Sequence, residues 1–317
     1  MLKSLLLIVA GFFVKVGILI TAPVYYFVAR TGVGADLCRK FRFQPIRLHY
    51  YQPIPRYETL PDSIFTEAQT LPGIQLDRDR FSATLKHLSE KSAEAQWPDK
   101  AGALGQYYTN NDNFGFSSAA LLHTMIRTHN TRKVIEIGGG FSSLISLHAL
   151  RLNHGDNFRF DCVEPYPWPW LEETLRTQSC ARLLKQPVER LDPDRLADLA
   201  KNDILFIDSS HCVRLASDVN FLFLQVIPRL KPGVIVHIHD IYIPYEYPRV
   251  HFHGRQKLFW NEQYLLQALL TDNPKLEVIL PGFFVQKDME TEFAAAFPAY
   301  DPVKHRRTSS FWMRVCG

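Results

Sequence analysis

The sequence predicts an α/β fold. It reads as a seven-stranded, doubly wound sheet with a closing antiparallel hairpin, preceded by one N-terminal transmembrane helix. Three observations predict it. From Lys133 to Asp240, short apolar runs alternate with segments of helical period, as a parallel sheet with crossover helices requires. Three of those runs end in an acid, Glu164, Asp208 and Asp240. Far upstream, Leu5 to Val28 is apolar except for Lys15, Thr21 and two tyrosines.

The N-terminal run comes first. Its 24 residues span about 36 Å as a helix, enough for a bilayer core of about 30 Å. Tyr25 and Tyr26 suit a membrane interface, and Pro23 predicts a kink. Arg30, Arg39, Lys40, Arg42 and Arg47 follow the run, against Lys3 before it. That asymmetry predicts a single-pass protein, membrane-bound through residues 5–28, with its body in the cytoplasm. The rivals are a cleaved signal peptide, for which no small-x-small site follows, and an interfacial helix. Residues 1–30 are thus read as an anchor, 31–115 as a juxtamembrane and helical pre-domain, and 116–317 as the main domain. Residues 31–60 either lie on anionic headgroups or form a packed linker.

Composition narrows the class. The chain is 317 residues, 46% apolar and 21% charged, with a net charge of +4. No basic block interleaved with aromatics stands out, so no nucleic-acid partner is expected. Five cysteines, an odd number without a CxxC, argue against a disulfide framework or structural zinc.

Leu60 to Ala95 reads as mostly helical, with Phe81, Leu85 and Leu88 at helical spacing, and 105–115 as a loop. Ser117 to His129 is a helix leading into the first strand, Val134 to Ile137. Gly138-Gly139-Gly140 is then a tight turn into a helix from Ser142. Ser143 stands where a dinucleotide fingerprint needs its last glycine, and no P-loop lysine is present. The acid Glu136 beside this turn hints at an adenosyl cofactor. The second strand, 159–164, ends in Glu164, placed to accept both ribose hydroxyls of a nucleoside. A helix over 171–177 and a third strand over 181–185 follow, with Val188 where an adenine would be sandwiched. The fourth strand, 203–208, ends in Asp208. A helix over 213–230, the turn Lys231-Pro232-Gly233 and the fifth strand, 234–240, come next. A helix over 261–270, a strand over 275–280, a short helix over 292–296 and a strand over 309–315 close the chain.

Residues 133–315 resemble a class I S-adenosylmethionine-dependent methyltransferase with a Rossmann-like sheet. Val134 to Gly140, Glu164, the 230–233 turn and the closing strands carry the likeness. Asp208-Ser209-Ser210-His211, Asp218 and Asp240 resemble the small-molecule O-methyltransferase-like branch, with Ser209 in place of the usual glycine. The resemblance implies S-adenosyl-L-methionine as cofactor. Gly138, Gly139 and Gly140 would pass under its methionine, Glu136 would face the ammonium, and Ser142 could bond the carboxylate. Glu164 would hold the ribose, Val188 would flank the adenine, and Asp208 would reach the ligand edge. His211, Asp208, His239 and Asp240 are the candidate bases, at or just after the strand ends. Related enzymes bind a divalent metal through acids of the fourth and fifth strands. Asp208, Asp240 and His239 could do so here, while His251 and His253 suit a transition metal better than magnesium. Tyr107, Tyr108, Tyr242, Tyr245, Tyr247 and Phe252 either wall an acceptor pocket or pack as ordinary loop aromatics. The expected acceptor is a small molecule, lipid headgroup or glycan. The alternatives are a nicotinamide-dependent oxidoreductase and a membrane-tethered, non-catalytic scaffold.

Overall fold

The computed structural model describes residues 2–253 and 257–317. They form two compact units, Met1–Pro61 and Asp62–Gly317. The first holds the helix Leu2–Thr31 and the short helix Ala35–Lys40. Its segment Val9–Thr31 is long and apolar enough to cross a membrane, a property a signal sequence shares. Phe12, Phe13 and Leu19 are all more than 60% exposed, so within this unit the helix has apolar side chains with nothing packed on them. Phe41, Tyr50 and Tyr51 beyond it are exposed as well.

The second unit is built on one sheet. Its strands are β1 (Lys133–Ile137), β2 (Arg159–Val163), β3 (Ala181–Leu184), β4 (Ile204–Ile207), β5 (Ile235–Ile238), β6 (Leu276–Pro281) and β7 (Phe311–Val315). Their order is β3-β2-β1-β4-β5-β7-β6. The strands β1 to β5 pair in parallel, and β7 runs antiparallel to both β5 and β6. All four residues of β4 and of β5 are buried, as central strands covered on both faces must be. In β5, His237 stacks between Phe206 and Trp312 at 4.1 and 4.0 Å. Burial holds this imidazole well below its ordinary pKa, so it serves as a neutral aromatic spacer.

Several elements differ from the sequence expectation. The last two strands do not form a tight hairpin. Two helices, Gly282–Asp288 and Glu290–Ala296, separate them, and β7 inserts between β5 and β6. The helix expected from Val213 begins at Asp218, where the Ser217 hydroxyl accepts the Asn220 N–H. Before it, Val213 N–H is held by Asn261 Oδ1 at 2.6 Å, and His211 and Ala216 adopt positive φ. Toward its end the helix passes into π and 3-10 turns at Leu222–Arg229, where Pro228 cannot donate a hydrogen bond. The 60–95 stretch is α-helical only over Ser63–Thr66 and Arg78–Ser89, with a 3-10 turn at Ser92–Glu94. The helix Arg78–Ser89 buries Phe81, Leu85 and Leu88 in the same core as the sheet, and Arg80 reaches Glu277 of β6 at 2.6 Å.

The glycine turn after β1 is the tightest point of the sheet. Gly138 has φ +85°, and a Cβ there would overlap the backbone carbonyl of Asp208. Its N–H donates to Val163 O at 2.9 Å, while Asp208 N–H donates to Ile137 O at 2.8 Å. No side chain fits between those strand ends. Gly138→Ala is therefore expected to cost at least about 2 kcal/mol, read as a lower urea midpoint at unchanged slope.

Candidate functional site: two clefts that meet at Asp208

The order in which strands are added to the sheet reverses between β1 and β4, and ligands of such sheets bind outside the strand ends there. A cleft of about 360 Å³ opens at that place, lined by Gly138, Glu164, Tyr166, Val188, Asp208 and Asp218. Glu164 is pinned by the backbone: its Oε2 accepts Gly139 N–H at 3.3 Å and its Oε1 accepts Tyr166 N–H at 2.7 Å. Each oxygen keeps a lone pair for a ligand hydroxyl. Asp218 accepts both the N–H and the hydroxyl of Ser210, at 2.7 and 2.6 Å. These bonds hold its carboxyl below the usual range although burial works against them.

Four of the expected cofactor residues stand behind this cleft. Glu136, Gly139, Gly140 and Ser142 do not line it. Gly139 is locked over Cys162 and Leu171, whereas a Cβ on Gly140 would meet nothing within 4 Å. Glu136 is completely buried; Oε1 accepts the Ser142 hydroxyl, and Oε2 has no partner among the described residues. Burial pushes its carboxyl up to about 8, against the hydrogen bonds from Ser142 and Ser143. The side chain is thus a neutral, inward brace under the turn, and the Ser142 hydroxyl is spent on it.

A second cleft, of about 590 Å³, lies on the other side of Asp208 and takes in His239, Asp240 and Tyr242. Asp208 lines both. His239 is 5% exposed. Its Nδ1 lies 3.7 Å from Asp208 Oδ2 and 3.6 Å from Asp240 Oδ1, and its Nε2 lies 3.3 Å from Ser118 Oγ.

His211 is placed differently from the sequence expectation, because it lines neither cleft. It is buried in a left-handed turn, φ 58°, with Nδ1 2.8 Å from Glu262 Oε2. Nε2 lies 3.3 Å from Asp208 Oδ1 and 3.7 Å from Asp240 Oδ2. Burial opposes its charge, but the surrounding carboxylates overcome that and hold the imidazole well above its ordinary value. Burial pushes Glu262 up, with His211 pulling it back. Asp240 is held low by His239 and His211 in spite of burial. The result is an imidazolium clasped by three carboxylates, with no lone pair to accept a proton. Glu262 had no signal in the sequence, where it reads as the first turn of an amphipathic helix.

Among the described residues, one set could hold a metal: Asp208, His211 and Asp240, with donor atoms within 4.8 Å of one another. His211 takes the place expected of His239. A cation bound there would take the place of the His211 proton between the two acids. His251 packs on Trp260 at 4.7 Å, and the His253 side chain lies outside the described residues. Of the six aromatics expected near an acceptor, Tyr242 lines the second cleft. Tyr107 donates to Phe114 O, Tyr245 to Asp288, and Tyr247 accepts Gln263 N–H. Tyr108 packs on Phe141 and Phe252 on Phe65.

The raised carboxyl of Glu136 has a consequence for stability. Between about pH 4.5 and 8 the folded chain keeps a proton that the unfolded chain releases. Stability is therefore complete below the ordinary glutamate value and falls as pH rises toward 8. Glu136→Gln keeps the acceptor for Ser142 and removes the slope. Unfolding free energies from urea titrations across this range should converge at acid pH and favour the variant by about 4 kcal/mol at the alkaline end.

Comparison with known proteins agrees with this architecture. Residues 135–241 match the family model described as a methyltransferase domain. An uncharacterized protein of Archaeoglobus fulgidus is 29% identical over 164 residues, 49% of this chain and 74% of its own. An O-methyltransferase of Streptomyces achromogenes involved in tomaymycin synthesis, solved with S-adenosylmethionine, is 15% identical. It covers 77% of this chain and 92% of its own with a TM-score of 0.38. A Bacillus cereus O-methyltransferase solved with S-adenosylhomocysteine is 13% identical, covering 77% and 93%, with a TM-score of 0.37. The family match runs from β1 through the end of β5, and the strand order adds the reversed β7 between β5 and β6. Residues 135–241 are thus similar to a methyltransferase domain, within the seven-stranded sheet described above.

Proposed function

We propose that the chain is a membrane-anchored S-adenosylmethionine-dependent O-methyltransferase, with the cofactor in the Glu164 cleft and the acceptor in the His239 cleft. The observation that carries this reading is that the two clefts share Asp208. Methyl transfer needs a donor site and an acceptor site that open on one another, with the reacting atoms held in line.

Bound S-adenosylmethionine would supply a methyl group already activated on a sulfonium. Gly138 and the backbone-pinned Glu164, both on the lining of the first cleft, fit such a ligand. Glu164 would accept the ribose hydroxyls, and Val188 would cover one face of the adenine. His239 would take the proton of the acceptor hydroxyl. Asp208 and Asp240, both within 3.7 Å of Nδ1, would stabilise the imidazolium that results. His211 would hold those two acids in place and move no proton.

Calorimetric titration of the full chain in detergent with S-adenosylmethionine and S-adenosylhomocysteine tests the cofactor. Micromolar binding is expected, weakened about tenfold or more in Glu164→Ala. Undiminished affinity in that variant would remove Glu164 from the site. His239→Ala should keep cofactor affinity and lower turnover by about 10²–10⁴-fold, measured on an acceptor found by screening.

The helix Leu2–Thr31 would anchor the enzyme with its body on the cytoplasmic side, supported by the basic residues that follow the span. A protease added to sealed inside-out vesicles should then remove a C-terminal tag. Protection of the tag there, with cleavage in right-side-out vesicles, would reverse the orientation.

A further inference from the structure

The second cleft carries a pair of cations that methyl transfer does not require. Arg306 and Arg307 line it, and both side chains are exposed. Arg306 makes one hydrogen bond, from Nη2 to the Asn111 carbonyl at 3.2 Å. Arg307 makes no hydrogen bond or ion pair among the described residues. Two arginines therefore line the cleft that Asp208, His239 and Asp240 also line. Asp112 is the further acid on the lining, and it forms no ion pair with either arginine.

The backbone that presents this pair is pinned by a buried polar network. The Arg306 carbonyl accepts the Ser117 hydroxyl at 3.0 Å, and Ser117 Oγ accepts Gln286 Nε2–H at 2.9 Å. Gln286 Oε1 accepts Thr308 N–H at 2.6 Å. Thr308 Oγ1 lies 2.9 Å from Ser118 Oγ, which in turn contacts His239 Nε2 at 3.3 Å. Ser117, Ser118, Gln286 and Thr308 are all buried. Burying four polar side chains is tolerated only because each is satisfied by the next. Their arrangement fixes the arginine backbone and the His239 ring in one frame, while the Arg306 guanidinium is held only by its bond to the Asn111 carbonyl. A solvated surface pair would need no such frame.

We infer that the methyl acceptor carries an oxyanion, a carboxylate or a phosphate ester, which Arg306 and Arg307 bind while its hydroxyl lies at His239. Guanidinium forks match both oxyanions, and a pre-ordered backbone lowers the cost of holding them. Trp260 and Phe283 flank the cleft between, and suit an acceptor with an apolar or aromatic body. This assignment rests on the reading of the second cleft as the acceptor site.

The test is calorimetric titration of the full chain with 4-hydroxybenzoate, 4-hydroxyphenyl phosphate and 4-hydroxybenzyl alcohol, with and without saturating S-adenosylhomocysteine. The two anions should bind about tenfold or more tightly than the alcohol, and R306A/R307A should abolish that preference while leaving the thermal midpoint in place. The tighter anion tells a carboxylate acceptor from a phosphate ester. Equal binding of all three, no binding of either anion, or a preference that survives in the double variant would overturn the inference. Absence of S-adenosylhomocysteine binding would instead sink the methyltransferase reading, and the titrations without it would still report on the arginine pair.

Discussion

Three carboxylates converge on one buried imidazole, and the site is arranged around that convergence. Asp208 follows β4, Asp240 follows β5, and Glu262 opens the helix Glu262–Leu270. Left alone, three acids this close would repel one another and lose their hydration. His211 neutralises part of that charge and bonds to two of them, so the strand ends and the helix are drawn to one point. The backbone gives way to allow it. His211 and Asp240 both take positive φ, a conformation worth about 1–3 kcal/mol of strain in residues that are not glycine. Loops hold such strain only where the contacts around them demand it.

The clasp also divides labour between the two histidines. His211 is enclosed by carboxylates and remains charged. His239 lies on the cleft, near two acids but bonded through Nε2 to a serine hydroxyl. One ring is a structural cation and the other lines the second cleft, although both follow central strands by only a few residues. Glu136 shows the same separation in acids. It stands six residues from Ser142, fully enclosed and neutral near pH 7, while Glu164 at the end of the neighbouring strand faces the cleft. Burial sets the protonation of Glu136, whereas the carboxylates around His211 overcome burial and keep that ring charged.

The buried network from His239 through Ser118, Thr308 and Gln286 to Ser117 reaches across the helix Phe116–Thr128, the helix Gly282–Asp288 and the approach to β7. It depends on β7 sitting beside β5. Inserted there, β7 brings residues 306–309 against the end of β5, where Ser309 donates to Asp240 at 2.7 Å. At the edge, the same residues would be one strand spacing further from the chemistry, about 5 Å.

By itself the sequence determined what depends on short windows. Strand-length apolar runs placed β1 to β7 within a few residues, the three glycines placed the turn, and the acids at strand ends placed Glu164 and Asp208 on the cleft. These features follow from periodicity, steric freedom and chain direction, which neighbouring residues decide. The apolar helix near the N-terminus was legible for the same reason. Tertiary structure alone decided that Glu262 meets His211, 51 residues earlier, and that Ser117 meets Gln286, 169 residues later. It also decided that His211 is clasped while His239 is open, and that Arg306 and Arg307 share a cleft with both acids. Those pairings depend on which strand neighbours which, and on the solvent that packing excludes. Neither is written in the local pattern of the chain.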